Sequence, residues 1–159
     1  GGRGALAGLG APAGLGAPVS SAKHPRLVQV VLDTVDARRA AEFWRELLGW
    51  SYRPGDEPPA AGGPDLRGAD WLVLRHPEGG VGLAFQQVAE QARTTWPDQA
   101  VPQQLHLDHA VPDLDALRRQ HDRVLALGGV LLIARPDDPH EPLRVYADPD
   151  GHPFCVFVG

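Results

Sequence analysis

Apolar residues recur along this chain with two periods, and the order in which those periods follow one another repeats once. Leu27 to Asp33 is a run rich in Val and Leu that predicts a strand. Asp36 then opens a helix in which Ala40, Phe43, Trp44, Leu47 and Leu48 fall at three- and four-residue spacings, and Gly49 ends it in the left-handed position that glycine tolerates. Trp50 to Arg53 predicts a short second strand. Pro54 to Gly68, dense in Pro, Gly and acidic residues, predicts a loop. Trp71 to Arg75 and Val81 to Val88 predict two strands around His76-Pro-Glu-Gly-Gly80, which has hairpin turn chemistry.

After a polar connector containing Trp96 and two prolines, the same order returns. Leu105 to Ala110 predicts a strand, and Asp113 caps a helix with Leu114, Leu117, Val124, Leu125 and Leu127 on its apolar stripe. Gly128 and Gly129 stop that helix. Val130 to Ala134 predicts a strand, Pro136 to Pro142 a loop, Leu143 to Ala147 a strand, and Asp148-Pro-Asp-Gly151 a turn into Pro153 to Val158. One separation carries both Gln29 onto His106 and Asp36 onto Asp113, and nearly the same separation relates the turn glycines Gly79 and Gly151. The chain is therefore expected to be α+β, with two βαβββ modules at 27–90 and 104–158 forming cupped, mostly antiparallel sheets with helices outside. Neither module could bury its sheet face alone, so the two, or two chains, must close over one another.

The composition limits the reading further. A chain of 159 residues with 43% hydrophobic content supports one core, so residues 25–159 are read as a single domain. Residues 1–24 are of another kind: Ala-Gly-Leu-Gly-Ala-Pro occurs at 7–12 and again at 13–18, and that density of Gly and Pro predicts a flexible tail. A signal peptide would need an apolar core that these glycines interrupt. A net charge of -5 argues against nucleic acid or an anionic membrane as partner and favours a neutral or cationic small molecule. No apolar run approaches the roughly 20 residues of a membrane span. Cys155, the single cysteine, forms no internal disulfide, which is compatible with a reducing cytoplasm.

Successive strand residues point to opposite faces, so His106 and Asp108 share one face, as do Gln29 and Asp33. Two longer stretches carry a family resemblance: Val35-Asp-Ala-Arg-Arg-Ala-Ala-Glu-Phe-Trp-Arg-Glu-Leu-Leu-Gly-Trp50, and Tyr146-Ala-Asp-Pro-Asp-Gly-His-Pro-Phe-Cys155. The chain resembles the vicinal oxygen chelate superfamily of glyoxalases, extradiol dioxygenases, fosfomycin-resistance transferases and bleomycin-resistance proteins, over about Leu27 to Val158. The resemblance implies the two-module fold, a homodimer and, in metal-bearing members, ligands on the first and fifth strands with a glutamate on the fourth and eighth. Gln29 and His106 stand at the first two positions. Cys155 stands on the last strand, and the fourth offers Leu83 or Phe85. Two carboxylates are therefore missing, and a neutral amide with a neutral imidazole gives a hard dication no compensating charge. The expectation is that no cofactor is bound; were a divalent metal present, Gln29 and His106 would hold it, with Asp33 or Asp108 as substitutes.

The expected site is one concave pocket containing Gln29, His106, Asp108 and Cys155, walled by Trp71 or Phe85, with Asp33 and Arg144 as further ligand-binding residues. His106 and Asp108 are the catalytic candidates, Asp108 as a general base or as a carboxylate paired with an arginine such as Arg144. Cys155 is read as a small buried side chain rather than a nucleophile. Trp44 lies on the helix stripe and belongs to the core. The loop with Asp137, Asp138, His140 and Glu141 is read as a solvated turn. No phosphate loop, zinc spacing or nucleophile elbow occurs, and only three serines exist, two of them at Ser20 and Ser21. Two functions follow: a binding or sequestering protein like the bleomycin-resistance members, or a glyoxalase-type lyase or isomerase acting on a small carbonyl compound.

Overall fold

The computed structural model describes residues 24–159; the expected tail, except for its last position, lies outside the described residues. The element order is β1 (Gln29–Thr34), α1 (Ala37–Leu48), β2 (Ser51–Tyr52), β3 (Trp71–Arg75), β4 (Gly82–Gln87), β5 (Leu107–Val111), α2 (Leu114–Ala126), β6 (Val130–Arg135), β7 (Leu143–Ala147) and β8 (Pro153–Val158). They form two four-stranded sheets of identical plan, β1-β4-β3-β2 and β5-β8-β7-β6. In each, the first strand runs parallel to the last and the other pairings are antiparallel. The α+β architecture of two βαβββ modules is thus the one that the repeated pattern predicts.

Both helices start where a carboxylate can satisfy the free N–H groups of a first turn. Asp36 accepts from the Arg39 amide at 3.0 Å and Asp113 from the Ala116 amide at 2.7 Å. Gly49 ends α1 at φ 67°, as its sequence position implies. The α2 stripe differs from expectation: Ala116, Leu117 and Val124 are buried, whereas Leu114 and Leu125 are exposed. The cause is the smaller arc that α2 presents to its sheet, since a residue one step off the central stripe already turns to solvent.

Each sheet has one face against helix and one face concave. Across the first sheet, the row Leu32, Phe85 and Leu72 faces α1 and is buried. The adjoining row, Val31, Ala84 and Val73, faces the cup. Trp44 sits wholly inside, with its ring against Phe43, Phe154 and His109, so α1 of the first module is a core element of the second as well. The buried residues of both modules form one continuous cluster running from Leu32 through Trp44 to Val156. Sharing is what gives two small sheets a core of adequate size.

Polar side chains fix the modules together at the turn before β8. Asp148, wholly buried, accepts from the Trp44 indole at 3.1 Å and from the amides of Asp150 and His152. Asp150 accepts from Thr34 Oγ1 at 2.7 Å and from Arg39 Nη2 at 3.0 Å. Within the first module, Arg38 binds the loop after β2 through both carboxylate oxygens of Asp65 and the carbonyl of Asp56, with its guanidinium 4.9 Å from the Tyr52 ring centre. The long loop is therefore held at several points, which its Pro and Gly content alone does not disclose.

Candidate functional site

A cavity of about 390 Å³ opens on the concave side of the first sheet, more enclosed than the shallow depressions along α1. Its floor comes from β1, β3 and β4, through Val31, Asp33, Gln86 and Trp71. Asp33 pairs with Gln86, and Gln86 with Trp71, across three hydrogen-bonded strands. Paired residues of neighbouring strands project to the same face. Carboxylate, amide and indole consequently stand in one row.

Farther along β4 the small residues Gly82 and Ala84 are buried and lie outside the cavity. On β4 the cup-facing positions are Gly82, Ala84 and Gln86, while Leu83 and Phe85 alternate onto the helix side. Gly82 is forced by contact, because a Cβ there would lie 2.7 Å from the Leu74 carbonyl oxygen.

The cavity's other walls come from further along the chain. The connector between modules supplies Gln91, Thr94, Gln103, Gln104 and Leu105, and the turn into β8 supplies Gly151, His152 and Pro153. His152 Nε2 donates to the Asp33 carbonyl at 2.7 Å, which ties the second module to the end of β1. Arg93 Nη1 donates to the Pro149 carbonyl at 2.7 Å and fixes the connector to the same turn. Thr94 and Thr95 bond back to Val101, closing the connector on itself.

Of the residues expected at the site, Asp33 and Trp71 line this cavity. Gln29, His106, Asp108 and Cys155, expected to share it, do not. Gln29 begins β1, four residues and roughly 13 Å from Asp33 along the strand. Asp108 and Cys155 pair with each other on the concave face of the second sheet. Phe85 is no wall: it is wholly buried on the helix side, because odd positions of β4 point inward. Arg144 lies in the row of Val156 and His109, toward α2, and its Nη1 donates to the Leu117 carbonyl. Arg144 therefore neither borders the cavity nor pairs with Asp108.

Asp108 has His106 as its neighbour instead, with Nε2 to Oδ1 at 3.5 Å and both side chains about half exposed. The Cys155 thiol is pushed up to about 11, first by burial and then by the Asp108 charge, so the protonated form dominates at neutral pH. Asp138 turns its carboxylate to the amides of His140 and Glu141, which holds its pKa below the ordinary value and makes the loop a turn, as expected. Trp50 packs against His76, with ring centres 5.1 Å apart.

Sequence reasoning missed Gln86, the four polar connector residues and His152. Strand alternation turns Gln86 outward once packing has buried Phe85 beside it, a phase that the apolar run alone does not set. The connector residues carry no periodicity and could be placed only by the fold. His109 was also missed: its ring is partly buried between Trp44 and Phe154, and Nδ1 donates to the Cys155 carbonyl.

The fold and cup are those of a glyoxalase-like domain. Residues 29–157 match the family model of the glyoxalase-like domain. The chain belongs to that family, within the vicinal oxygen chelate superfamily. No curated protein matches it significantly. A glyoxalase/bleomycin resistance protein/dioxygenase family enzyme from Burkholderia phytofirmans has a similar structure, with TM-score 0.63 and 15% identity over 84% of this chain and 98% of its own. A glyoxalase-related enzyme from Fulvimarina pelagi gives 0.57 and 23% over 84% and 88%. The fosfomycin resistance protein FosX from Listeria monocytogenes, solved as a point mutant with Mn(II) and a dihydroxypropylphosphonic acid, gives 0.58 and 13% over 87% and 93%. At these identities the likeness is one of fold.

The donor set of the described residues does not match a metal centre. Among the described residues no three His, Cys, Asp or Glu side chains converge. The concave positions that are polar carry the amides Gln29 and Gln86 and the carboxylate Asp33 on the first sheet and the His106–Asp108 pair at the second, so neither sheet brings together the two carboxylates that a hard dication requires. Among the described residues no helix is long and apolar enough to cross a membrane.

Proposed function

We propose that this chain binds and sequesters a small neutral or cationic molecule in the cavity floored by Asp33, Gln86 and Trp71. The observation that supports this reading is the cavity's lining: an aromatic wall, apolar floor positions and several amides, with no Lys or Arg among its described residues. Pockets of this kind bury the apolar body of a ligand and orient it with a few polar groups. Thermal-shift screening of neutral and cationic compounds tests it, because a ligand at a hundredfold excess over its Kd stabilises the native state by about 2.7 kcal/mol. Hits must weaken on Trp71→Ala. A screen without hits removes the reading.

The contact of His106 with Asp108 favours a second reading, a glyoxalase-type lyase or isomerase in which an imidazole beside a carboxylate moves a proton on a small carbonyl compound. It ranks second because the pair lies apart from the cavity and is half exposed. On this reading His106→Ala lowers turnover by about a hundredfold or more with the fold intact. Exchange of the proton next to the carbonyl, followed by NMR in heavy water, would measure it.

Both readings hold without a resident metal. Elemental analysis of protein purified without chelator should then give clearly less than about one equivalent. Near-full occupancy by nickel, zinc, iron or manganese, with chelator-sensitive turnover, would transfer the assignment to the enzyme, and Asp33 and Asp108 would be tested as ligands beside Gln29 and His106. A homodimer and a cytoplasmic location complete the proposal; the apolar row Cys155, Val145 and Ile133 on the second concave face supports the first, and the free thiol of Cys155 the second.

A further inference from the structure

Three features of the cavity narrow the chemistry of its occupant. The first is the row Asp33, Gln86 and Trp71, one residue from each of β1, β4 and β3 in direct register. Adjacent strands lie about 4.8 Å apart, so the carboxylate strand and the indole strand are separated by roughly 10 Å. That span suits a ring system with a short polar arm.

The second feature is charge. Asp33 is the one carboxylate among the described lining residues, it is exposed, and no hydrogen bond or ion pair among the described residues engages its carboxylate. The remaining polar groups on the connector side, Gln91, Thr94, Gln103 and Gln104, are uncharged. An anionic ligand would face Asp33 with no Lys or Arg among the described lining residues to offset it. A cation would find its partner at one end of the row.

The third feature is the surface between the ends. Val31, Pro102, Leu105 and Pro153 give the cavity its apolar surface, and Trp71 remains half-buried, so part of its ring is free to pack on another ring. Gln86 can both donate and accept in the middle of the row.

Resting on the binding reading above, we propose that the ligand is a flat aromatic molecule bearing a protonated amine or amidine on a short arm, its ring against Trp71 and its cation at Asp33. The site therefore discriminates against acids of the same shape, including phosphonic acids of the kind held by the Listeria relative.

A matched set of probes separates shape from charge: tryptamine, indole-3-propionamide and indole-3-propionate share one ring and nearly one length but are cationic, neutral and anionic. Isothermal titration calorimetry at low salt should rank tryptamine first and the propionate last. Asp33→Asn should weaken tryptamine about fivefold and leave the amide within about twofold. Trp71→Phe should weaken both alike, by several-fold, with thermal unfolding confirming that the variants fold. Equal affinity for propionate and tryptamine, or an unchanged tryptamine affinity in Asp33→Asn, overturns the proposal while leaving the cavity a binding site. Failure of all three probes alongside hits of another class in the wider screen overturns it too. Failure of the probes and of the wider screen together overturns the binding reading itself.

Discussion

His109 illustrates how one side chain links the two modules to pH. Its ring lies between Trp44 and Phe154, and burial depresses its pKa from the ordinary 6.5, partly opposed by its bond to the Cys155 carbonyl and by the Asp108 charge. Between the folded and unfolded values the unfolded chain binds more protons, so stability is complete above the window and declines as pH falls through it. Urea unfolding at about pH 7.5 and about pH 5 should show that decline, and His109→Asn, which keeps a donor without a titrating ring, should reduce it. An equal decline in the variant would assign the effect elsewhere; buried Asp148, raised by burial, contributes with the opposite sign, gaining stability as it protonates at lower pH. Cys155 makes a second residue-scale prediction. With the thiol pushed up to about 11, iodoacetamide at about pH 8 should modify it at least about tenfold more slowly than an exposed cysteine. Mass spectrometry of timed samples reads this directly, and a rate matching free cysteine would contradict the burial.

At the scale of elements, β4 carries the most constraint. It is an inner strand of its sheet, pairing with β1 on one side and β3 on the other, and its alternation puts Leu83, Phe85 and Gln87 toward α1 and Gly82, Ala84 and Gln86 toward the cup. Gln87 then bonds the amide of Ala37 at 2.8 Å, so the strand also seats the start of α1. Gly82→Ala should destabilise the fold by about 1 to 3 kcal/mol, because the added Cβ meets backbone rather than a movable side chain. Denaturant unfolding would measure the loss, and a neutral result would mean that β3 and β4 can separate locally. Strand alternation, applied to β4 with the right phase, is enough to reject Phe85 as a cavity wall. The phase itself comes from packing, since a continuous apolar run such as Val81 to Phe85 offers no alternation of its own.

For the molecule as a whole, the two modules are joined by a shared core and by a short polar seam. Asp148→Ala leaves the Trp44 indole and two backbone amides without their acceptor, and should cost about 2 to 4 kcal/mol while unfolding remains a single transition. Two separated transitions would mean that the modules are independent after all. The proposed homodimer belongs to this scale as well: light scattering at micromolar concentration should give twice the 17.0 kDa chain mass, and the monomer mass would count against it. A dimer that covers the second concave face would bury the row Cys155, Val145 and Ile133, which continues from Asp108.

Local signals were sufficient for the elements and their repeat. Asp36, Asp113, Gly49 and the turn glycines act within a few residues of themselves, and a hydrophobic period is a local property, so both helices, the long strands and the two-module plan were readable directly. Trp44 was legible as core for the same reason. The site was legible only in part: Asp33 and Trp71 border the cavity, whereas Gln29, His106, Asp108, Cys155, Phe85 and Arg144, grouped with them on strand parity and resemblance, stand elsewhere. Which strand lies beside which, and which residues of two strands fall in one row, depends on pairings between segments far apart in the chain. Those long-range pairings are what set Gln86 between Asp33 and Trp71, bring His152 to the carbonyl of Asp33, and close the cavity with a connector that has no period to read.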